Sequence, residues 1–165
     1  MDIHNYKKSL SNRLTTYFNI NNNKSSNKEF DLFAYAHLEL GRTFISSKDI
    51  IDKFNSNEYI LVKYFDDLNH DTVDNYISHI KNLLPSLIKP DYYHKSSYVN
   101  GVIVCNNTPP KDIIDKIKKF KYEKIYKFYF NGFSEIRIFL VSLNDNLVFC
   151  NKCGKKYKGV YLPIP

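Results

Sequence analysis

The segment Tyr59–Phe65 constrains the fold more than any other part of this 165-residue chain. Its sequence, Tyr-Ile-Leu-Val-Lys-Tyr-Phe, is apolar at nearly every position. A strand with one solvent-facing side alternates apolar and polar residues, whereas a nearly continuous apolar run is typical of a strand buried on both faces. The sequence therefore predicts that this segment is a central strand of a sheet.

Other elements follow from the spacing of apolar residues, at three- and four-residue steps for helices and at alternate positions for strands. Predicted helices are residues 3–18, residues 71–88, where Pro85 should kink the last turn or end it early, and a helix capped by Thr108 that starts at Pro109. Predicted strands are residues 30–40, 42–46 (after a break at Gly41), 59–65, 99–105, 124–130, 133–143 and 147–149, with a type I′ turn at Asn131-Gly132. Residues 21–28 are expected to form a polar loop.

This element order is αβββαβα followed by a β-meander. Three strands between two helices cannot all belong to βαβ units, so a mixed sheet flanked by helices is predicted. The fold class is α/β (α+β), as a single domain over residues 1–165. Its core is predicted to contain Leu10, Leu14, Leu32, Leu61, Ile77, Ile80, Leu84, Val102, Val104, Ile114, Ile136 and Ile138.

The sequence lacks the features that identify several classes of protein. No run approaches the roughly 18 apolar residues of a membrane span, and the first residues lack the apolar stretch of a signal peptide. Three cysteines are an odd number and do not suggest a disulfide framework. These features lead us to expect a cytoplasmic protein without contact to a membrane. No dinucleotide, P-loop, nucleophile-elbow or zinc-protease motif occurs, so no cofactor is expected.

Positive charge is concentrated in the last third of the chain. Residues 1–110 contain 12 basic and 12 acidic residues, whereas residues 111–165 contain 12 basic and five acidic residues, so the net charge of +7 lies entirely there. Tyrosines lie among these lysines, and lysines neutralise phosphates while tyrosines can stack on unpaired bases. The predicted nucleic-acid-binding residues are Lys116, Lys118, Lys119, Lys121 and Lys124, with Lys155 and Lys156 in a basic C-terminal tail of residues 150–165.

Three interpretations of this basic third remain open. It can bind nucleic acid, it can bind an acidic protein partner, or it can be a solvated surface in a lysine-rich protein. We predict a non-catalytic binding or accessory domain, with nucleic acid as the first candidate partner. The sequence makes no prediction of the oligomeric state.

An enzymatic alternative comes from the element order. The order αβββαβ resembles the core of the restriction-endonuclease-like superfamily, whose nucleases place an acid on the second strand and (D/E)-x-K on the third to hold Mg²⁺. Lys63 stands at the position of that lysine, but Leu61 occupies the position two residues earlier. The resemblance implies either a divergent Mg²⁺-dependent nuclease using Asp31 or Asp49, Glu58 and Lys63, or a degenerate relative without activity.

Three further segments, Glu29-Phe30-Asp31-Leu32-Phe33-Ala34, Tyr59-Ile60-Leu61-Val62-Lys63-Tyr64-Phe65-Asp66 and Gly101-Val102-Ile103-Val104-Cys105-Asn106, carry a second resemblance. They are similar to an uncharacterised family of small proteins from clostridia-like bacteria. That resemblance implies a shared fold and no particular activity.

Cys150 and Cys153 are spaced like one knuckle of a zinc ribbon. Structural zinc normally takes four ligands from two such knuckles, and no second Cys-x-x-Cys occurs in the sequence. We therefore predict no metal in the monomer and interpret the pair as part of a turn.

Overall fold

One mixed β-sheet organises the molecule. The computed structural model describes residues 1–20, 29–43 and 50–164, with the backbone alone at 40–43 and 50–52. The helices are α1 (Ile3–Leu14), α2 (His70–Leu87) and α3 (Lys111–Lys119), with two 3-10 helices at Lys127–Tyr129 and Lys152–Tyr161. The strands are β1 (Asn19–Ile20), β2 (Leu32–Thr43), β3 (Ile50–Tyr64), β4 (His94–Cys105), β5 (Glu123–Ile125), β6 (Phe133–Ser142) and β7 (Leu147–Cys150).

Within the described ranges, seven strands pair in the order β1-β2-β3-β4-β6-β5, and β7 also pairs with β6. Strands β1, β2 and β3 are antiparallel, whereas β3, β4 and β6 are parallel and are connected through α2 and α3. β5 and β7 are both antiparallel to β6 and lie end to end along its outer edge. This arrangement confirms the predicted α+β class with a mixed sheet.

Each face of the sheet buries its own apolar cluster, because the central strands are apolar on both sides. Helices α2 and α3 cover one face, where Leu61, Ile80 and Ile138 are buried. Helix α1 and the long 3-10 helix (Lys152–Tyr161) cover the other face, where Leu10 and Phe139 are buried. Every residue predicted for the core is buried.

The hydroxyl of Tyr6 fastens α1 to the long 3-10 helix by donating to the carbonyl of Tyr161 over 3.0 Å. Arg13 Nη1 donates to the carbonyl of Leu162 over 2.9 Å. The segment predicted as a basic tail is therefore a packed element of the fold.

Several predicted boundaries were wrong for local reasons. Helix α1 ends at Leu14 rather than residue 18. β2 continues through Gly41 to Thr43, and its antiparallel partner is β3 from Ile50 onward. The three strands between α1 and α2 are therefore β1, β2 and β3. The predicted polar loop at 21–28 and residues 44–46 of the predicted return strand lie outside the described residues.

Helix α2 continues past Pro85 to Leu87, so of the two expected effects of this proline the early end does not occur. Helix α3 begins at Lys111 rather than at Pro109. Thr108 does not cap it, because the backbone N–H and hydroxyl of Thr108 both donate to Asp145 at the turn between β6 and β7. In the described part of the chain, no helix is long and apolar enough to cross a membrane.

Candidate nucleic-acid interface

Asn151 fills the gap between β5 and β7 on the outer edge of β6. Its side-chain oxygen accepts from the N–H of Ile138 over 3.2 Å, and its amide nitrogen donates to the carbonyls of Ile136 and Phe120. This fully buried side chain takes over the hydrogen bonds that a continuous edge strand would make. It thereby holds the end of α3 and the start of the long 3-10 helix at the same edge.

A cleft of about 910 Å³ opens at this edge, between the end of α3 and the long 3-10 helix. Its apolar floor is formed by Val148, Phe149 and Cys150 of β7. Its rim consists of six lysines, Lys118, Lys119, Lys121, Lys152, Lys155 and Lys158. We call the whole cavity the lysine cleft. Two segments that are more than 30 residues apart in the sequence thus direct their cationic side chains to one concave surface.

Carboxylates lie near one end of the lysine cleft, because Lys121 and Lys152 also line a neighbouring pocket with Glu123 and Glu135. Over the described ranges, the ion pairs include none between the six ammonium groups of the cleft and a carboxylate within 4.0 Å. Lys118 Nζ lies 5.5 Å from the ring centre of Phe149, so one cation lies above the aromatic floor. Burial raises the pKa of the Cys150 thiol, and the positive charges of Lys158 and Lys155 partly oppose that shift.

The remaining lysines predicted from the sequence lie elsewhere. Lys116 makes an ion pair with Asp74 of α2, so its charge is already neutralised. Lys124 lies in β5 with its Nζ 5.6 Å from the ring centre of Tyr126. Lys156 is exposed on the long 3-10 helix but does not line the cleft. The structure brings Lys118, Lys119, Lys121 and Lys155 together, and adds Lys152 and Lys158 to them.

Residues 126–132, which we call the aromatic loop, connect β5 to β6. The predicted type I′ turn at Asn131-Gly132 is absent here, because Lys127, Phe128 and Tyr129 form a left-handed turn with φ of 44°, 52° and 71°. A left-handed helical conformation costs about 1–2 kcal/mol for each residue with a β-carbon. A run of three such residues persists only where the surrounding structure imposes it.

His94 is the main anchor of the aromatic loop. Its Nδ1 lies 2.6 Å from the carbonyl of Asn131, and its Nε2 lies 2.8 Å from the hydroxyl of Ser97. The Asn131 side chain donates to the carbonyl of Pro90 over 3.2 Å. A β-carbon on Gly132 (φ 68°) would overlap the carbonyl of Lys95, so only glycine fits there.

The tip of the aromatic loop carries large apolar side chains into solvent. Phe128 is 93% exposed, Phe130 80% and Tyr129 57%. Aromatic side chains of this size are normally buried in a core or an interface. Tyr92 and Tyr93 are also exposed, in the segment that Asn131 contacts. Residues 124–134 contain two lysines and no acid.

A polar cluster around Arg137 lies between the sheet and the long 3-10 helix. The Arg137 side chain is 5% exposed; its Nε donates to Glu135 over 2.9 Å and its Nη1 lies 3.4 Å from Glu58. Asn100 donates to the same Glu58 oxygen over 2.8 Å. The carbonyl oxygen of the Asn100 side chain is buried without a hydrogen-bond partner in the described part of the chain. The sequence contained a signal for this cluster, since polar residues interrupt otherwise apolar strands at these positions.

The residues of the nuclease alternative are not assembled into one site by the described structure. Glu58 pairs in register with Tyr98 and Lys63 with Ile103, so they lie on opposite faces of β3, about 17 Å apart along the strand. Asp31 accepts from the backbone N–H of Tyr64 over 2.7 Å and lies 3.9 Å from Lys7. Asp49 lies outside the described residues.

The two cysteines of the zinc-knuckle spacing occupy different environments. Cys150 is buried in β7, and Cys153 is half-buried in the long 3-10 helix. Burial raises the pKa of the Cys153 thiol, and the nearby Glu135 raises it further. Over residues 1–20, 29–43 and 50–164, no three His, Cys, Asp or Glu side chains are grouped so that they could hold a metal ion.

A family model described as a domain of unknown function, DUF8052, matches residues 2–163. No curated protein and no solved structure matches the chain. The family match spans the whole sheet, the lysine cleft and the aromatic loop.

Proposed function

The chain belongs to the DUF8052 family of domains of unknown function, and we propose that it is a non-catalytic binding domain that contacts nucleic acid through the lysine cleft. The observation that carries the proposal is the convergence of six lysines on one cavity of about 910 Å³. Like charges that share a concave surface repel one another, and a bound polyanion relieves that repulsion.

The shape of the cleft favours a phosphate backbone over a small anion. Its ammonium groups come from two separate segments, the end of α3 and the long 3-10 helix. A chain of phosphates that crosses the cleft contacts both segments and releases its counterions. The arginine-poor composition of this region indicates contacts to the backbone rather than to base edges, and therefore little sequence preference.

An acidic protein is the alternative partner for the same cleft. The alternative structural role for its lysines is to keep the edge of the sheet from pairing with strands of other chains. A cytoplasmic location, which the proposal includes, gives access to both nucleic acid and acidic proteins. Salt dependence and the choice of polyanion separate these possibilities.

The proposal is tested by changing Lys118, Lys119 and Lys155 together to Gln. Binding of oligonucleotides of about 15 nucleotides is measured at several salt concentrations, for the original protein and the variant. We expect weaker binding by the variant and a slope of log K against log salt that is less steep by about one for each phosphate that the variant no longer neutralises.

The matched control changes Lys8, Lys53 and Lys89 to Gln, which removes the same charge from exposed positions outside the cleft. Binding should change much less in this control. A dissociation constant above about 100 µM at low salt, or an equal loss in both variants, contradicts the proposal. Equal competition by polyglutamate of the same charge favours the acidic protein partner instead.

A further inference from the structure

The aromatic loop and the lysine cleft lie at the same edge of the sheet. Lys121 lines the cleft and Tyr126 begins the loop, and the five-residue step between their α-carbons spans at most about 18 Å. β5 connects them as the edge strand beside β6. A single extended polymer can therefore contact both surfaces at once.

The aromatic loop holds its side chains away from the protein. Its base is fixed by hydrogen bonds from Tyr126 N to Gly132 O (2.9 Å) and from Gly132 N to Tyr129 O (3.0 Å), and by the His94 contact to Asn131. Its tip carries Phe128 and Phe130, which are among the most exposed apolar side chains of the described residues. This combination of a fixed backbone with exposed rings indicates a surface prepared for contact with another molecule.

We infer that the aromatic loop stacks on unpaired bases, so that the nucleic acid bound by the lysine cleft is single-stranded. The inference rests on the proposed function and specifies its substrate class. Single-stranded nucleic acid is recognised by a cationic groove that follows the backbone together with aromatic rings on which successive bases stack. A duplex keeps its bases stacked on one another and offers no free face to Phe128 or Phe130.

Charge favours unpaired bases over the other molecules that bind exposed aromatic rings. Lys124 and Lys127 flank the loop tip, and no acid occurs between Glu123 and Glu135. The Glu135 carboxylate is already bonded to Arg137. Bases attached to phosphates match a surface of rings and lysines, whereas the same basic surface on a second copy of this chain would be repelled.

The test compares three ligands of about 15 nucleotides: a single strand, the same strand with its bases removed, and the duplex. They are titrated against the original protein, a Phe128→Ala/Phe130→Ala variant and the lysine variant described above. The aromatic variant should bind the single strand at least about fivefold more weakly and bind the base-free strand and the duplex unchanged. The lysine variant should lose affinity for all three.

Two further variants control the chemistry. Tyr17→Ala removes a ring that is 79% exposed beside α1, and should leave all three affinities unchanged. Phe128→Leu/Phe130→Leu keeps apolar side chains but removes the aromatic faces, and should lose affinity like the alanine variant. Thermal unfolding of each variant checks that the fold is retained.

The outcomes separate the two proposals. If no ligand binds, or if the lysine changes have no effect, the proposed function fails and the inference fails with it. If all three ligands bind through the lysines but the alanine changes weaken them equally or not at all, only the stacking inference fails. Two other results also contradict the stacking inference. Binding of phosphatidylserine vesicles by the leucine variant but not by the alanine variant would indicate a membrane surface as the partner of the loop. Conversion of a dimer to a monomer by the loop changes would indicate a second copy of the chain.

Discussion

The guanidinium carbon of Arg137 lies 3.8 Å from the ring centre of Tyr98 and 4.2 Å from that of Tyr157. The same group is hydrogen-bonded to Glu135 and lies 3.4 Å from Glu58. Arg137 therefore links β3, β4 and β6 to the long 3-10 helix through one almost fully buried side chain.

Replacing Arg137 with Met should destabilise the protein. It leaves Glu58 and Glu135 partly buried without their counter-charge, and breaking such a buried pair costs about 3 kcal/mol when the carboxylates keep some contact with water. Urea unfolding measures the change. Adding Glu58→Gln and Glu135→Gln to the variant should restore part of the stability, whereas a loss below about 1 kcal/mol from Arg137→Met alone would contradict this role.

Gly132→Ala should destabilise the aromatic loop, because the new β-carbon overlaps the Lys95 carbonyl and the residue keeps φ at 68°. The left-handed conformation alone costs about 1–2 kcal/mol, and the overlap adds to it. Gly159→Ala is the matched control, since a β-carbon there has no neighbour within 4 Å. Thermal unfolding should show a clear loss for the first variant and almost none for the second; similar effects would argue against the described loop geometry.

Asp145 should make stability depend on pH. Hydrogen bonds from the hydroxyls of Thr108 and Ser142, and from the N–H of Thr108, hold the pKa of the Asp145 carboxyl below its usual range. Because the folded pKa is lower than the unfolded value of about 3.9, the stabilisation is complete above that value and is lost as the pH falls through the folded pKa. The Asp145→Asn variant should lack this dependence.

Denaturant unfolding from about pH 6 to pH 2 tests this expectation. The free-energy difference between the original protein and Asp145→Asn should be constant near neutrality and shrink below about pH 4. A difference that stays the same over the whole range would show that Asp145 has an ordinary pKa in the folded protein.

Single changes to Gln at Lys116 and Lys119 should separate two lysines of the same helix. Lys116 already pairs with Asp74, whereas Lys119 lines the lysine cleft. Oligonucleotide affinity should therefore fall more for Lys119→Gln, with a salt dependence less steep by about one. An equal effect at both positions would mean that α3 acts by its overall charge and not through the cleft.

Much of the fold could be predicted because its signals are local. The apolar stripes of α1 and α2 and the apolar runs of β3 and β4 follow from periodicity, and the predicted core residues are buried. The predicted ends of elements were wrong where a residue distant in the sequence took the hydrogen bonds that the local pattern assigned to a helix cap. Thr108 has the side chain of a helix cap, but Asp145, 37 residues later, accepts its hydrogen bonds instead.

The site was less predictable because it depends on tertiary structure. The excess of lysine was visible in the sequence, but its division between a cleft, an ion pair with Asp74 and an exposed helix was not. Asn131-Gly132 is a strong signal for a two-residue turn. The contacts of His94 and Pro90 with Asn131 favour a longer loop, and no local pattern predicts three successive left-handed residues that carry side chains.

The hydrogen bond between Tyr6 and the Tyr161 carbonyl joins residues separated by 155 positions in the chain. During synthesis at about 5–20 residues per second, roughly 8–30 seconds separate Tyr6 from Tyr161, and the Tyr6 hydroxyl has no Tyr161 carbonyl to bond until then. The sheet has a shorter delay, since β4 has no parallel partner on one side until β6 has been made, and Ser96 pairs with Phe133. The packing of this domain is therefore complete only once residues 152–161 have been made, and a nascent chain stalled before β6 exposes an unpaired edge of β4 to chaperones and proteases.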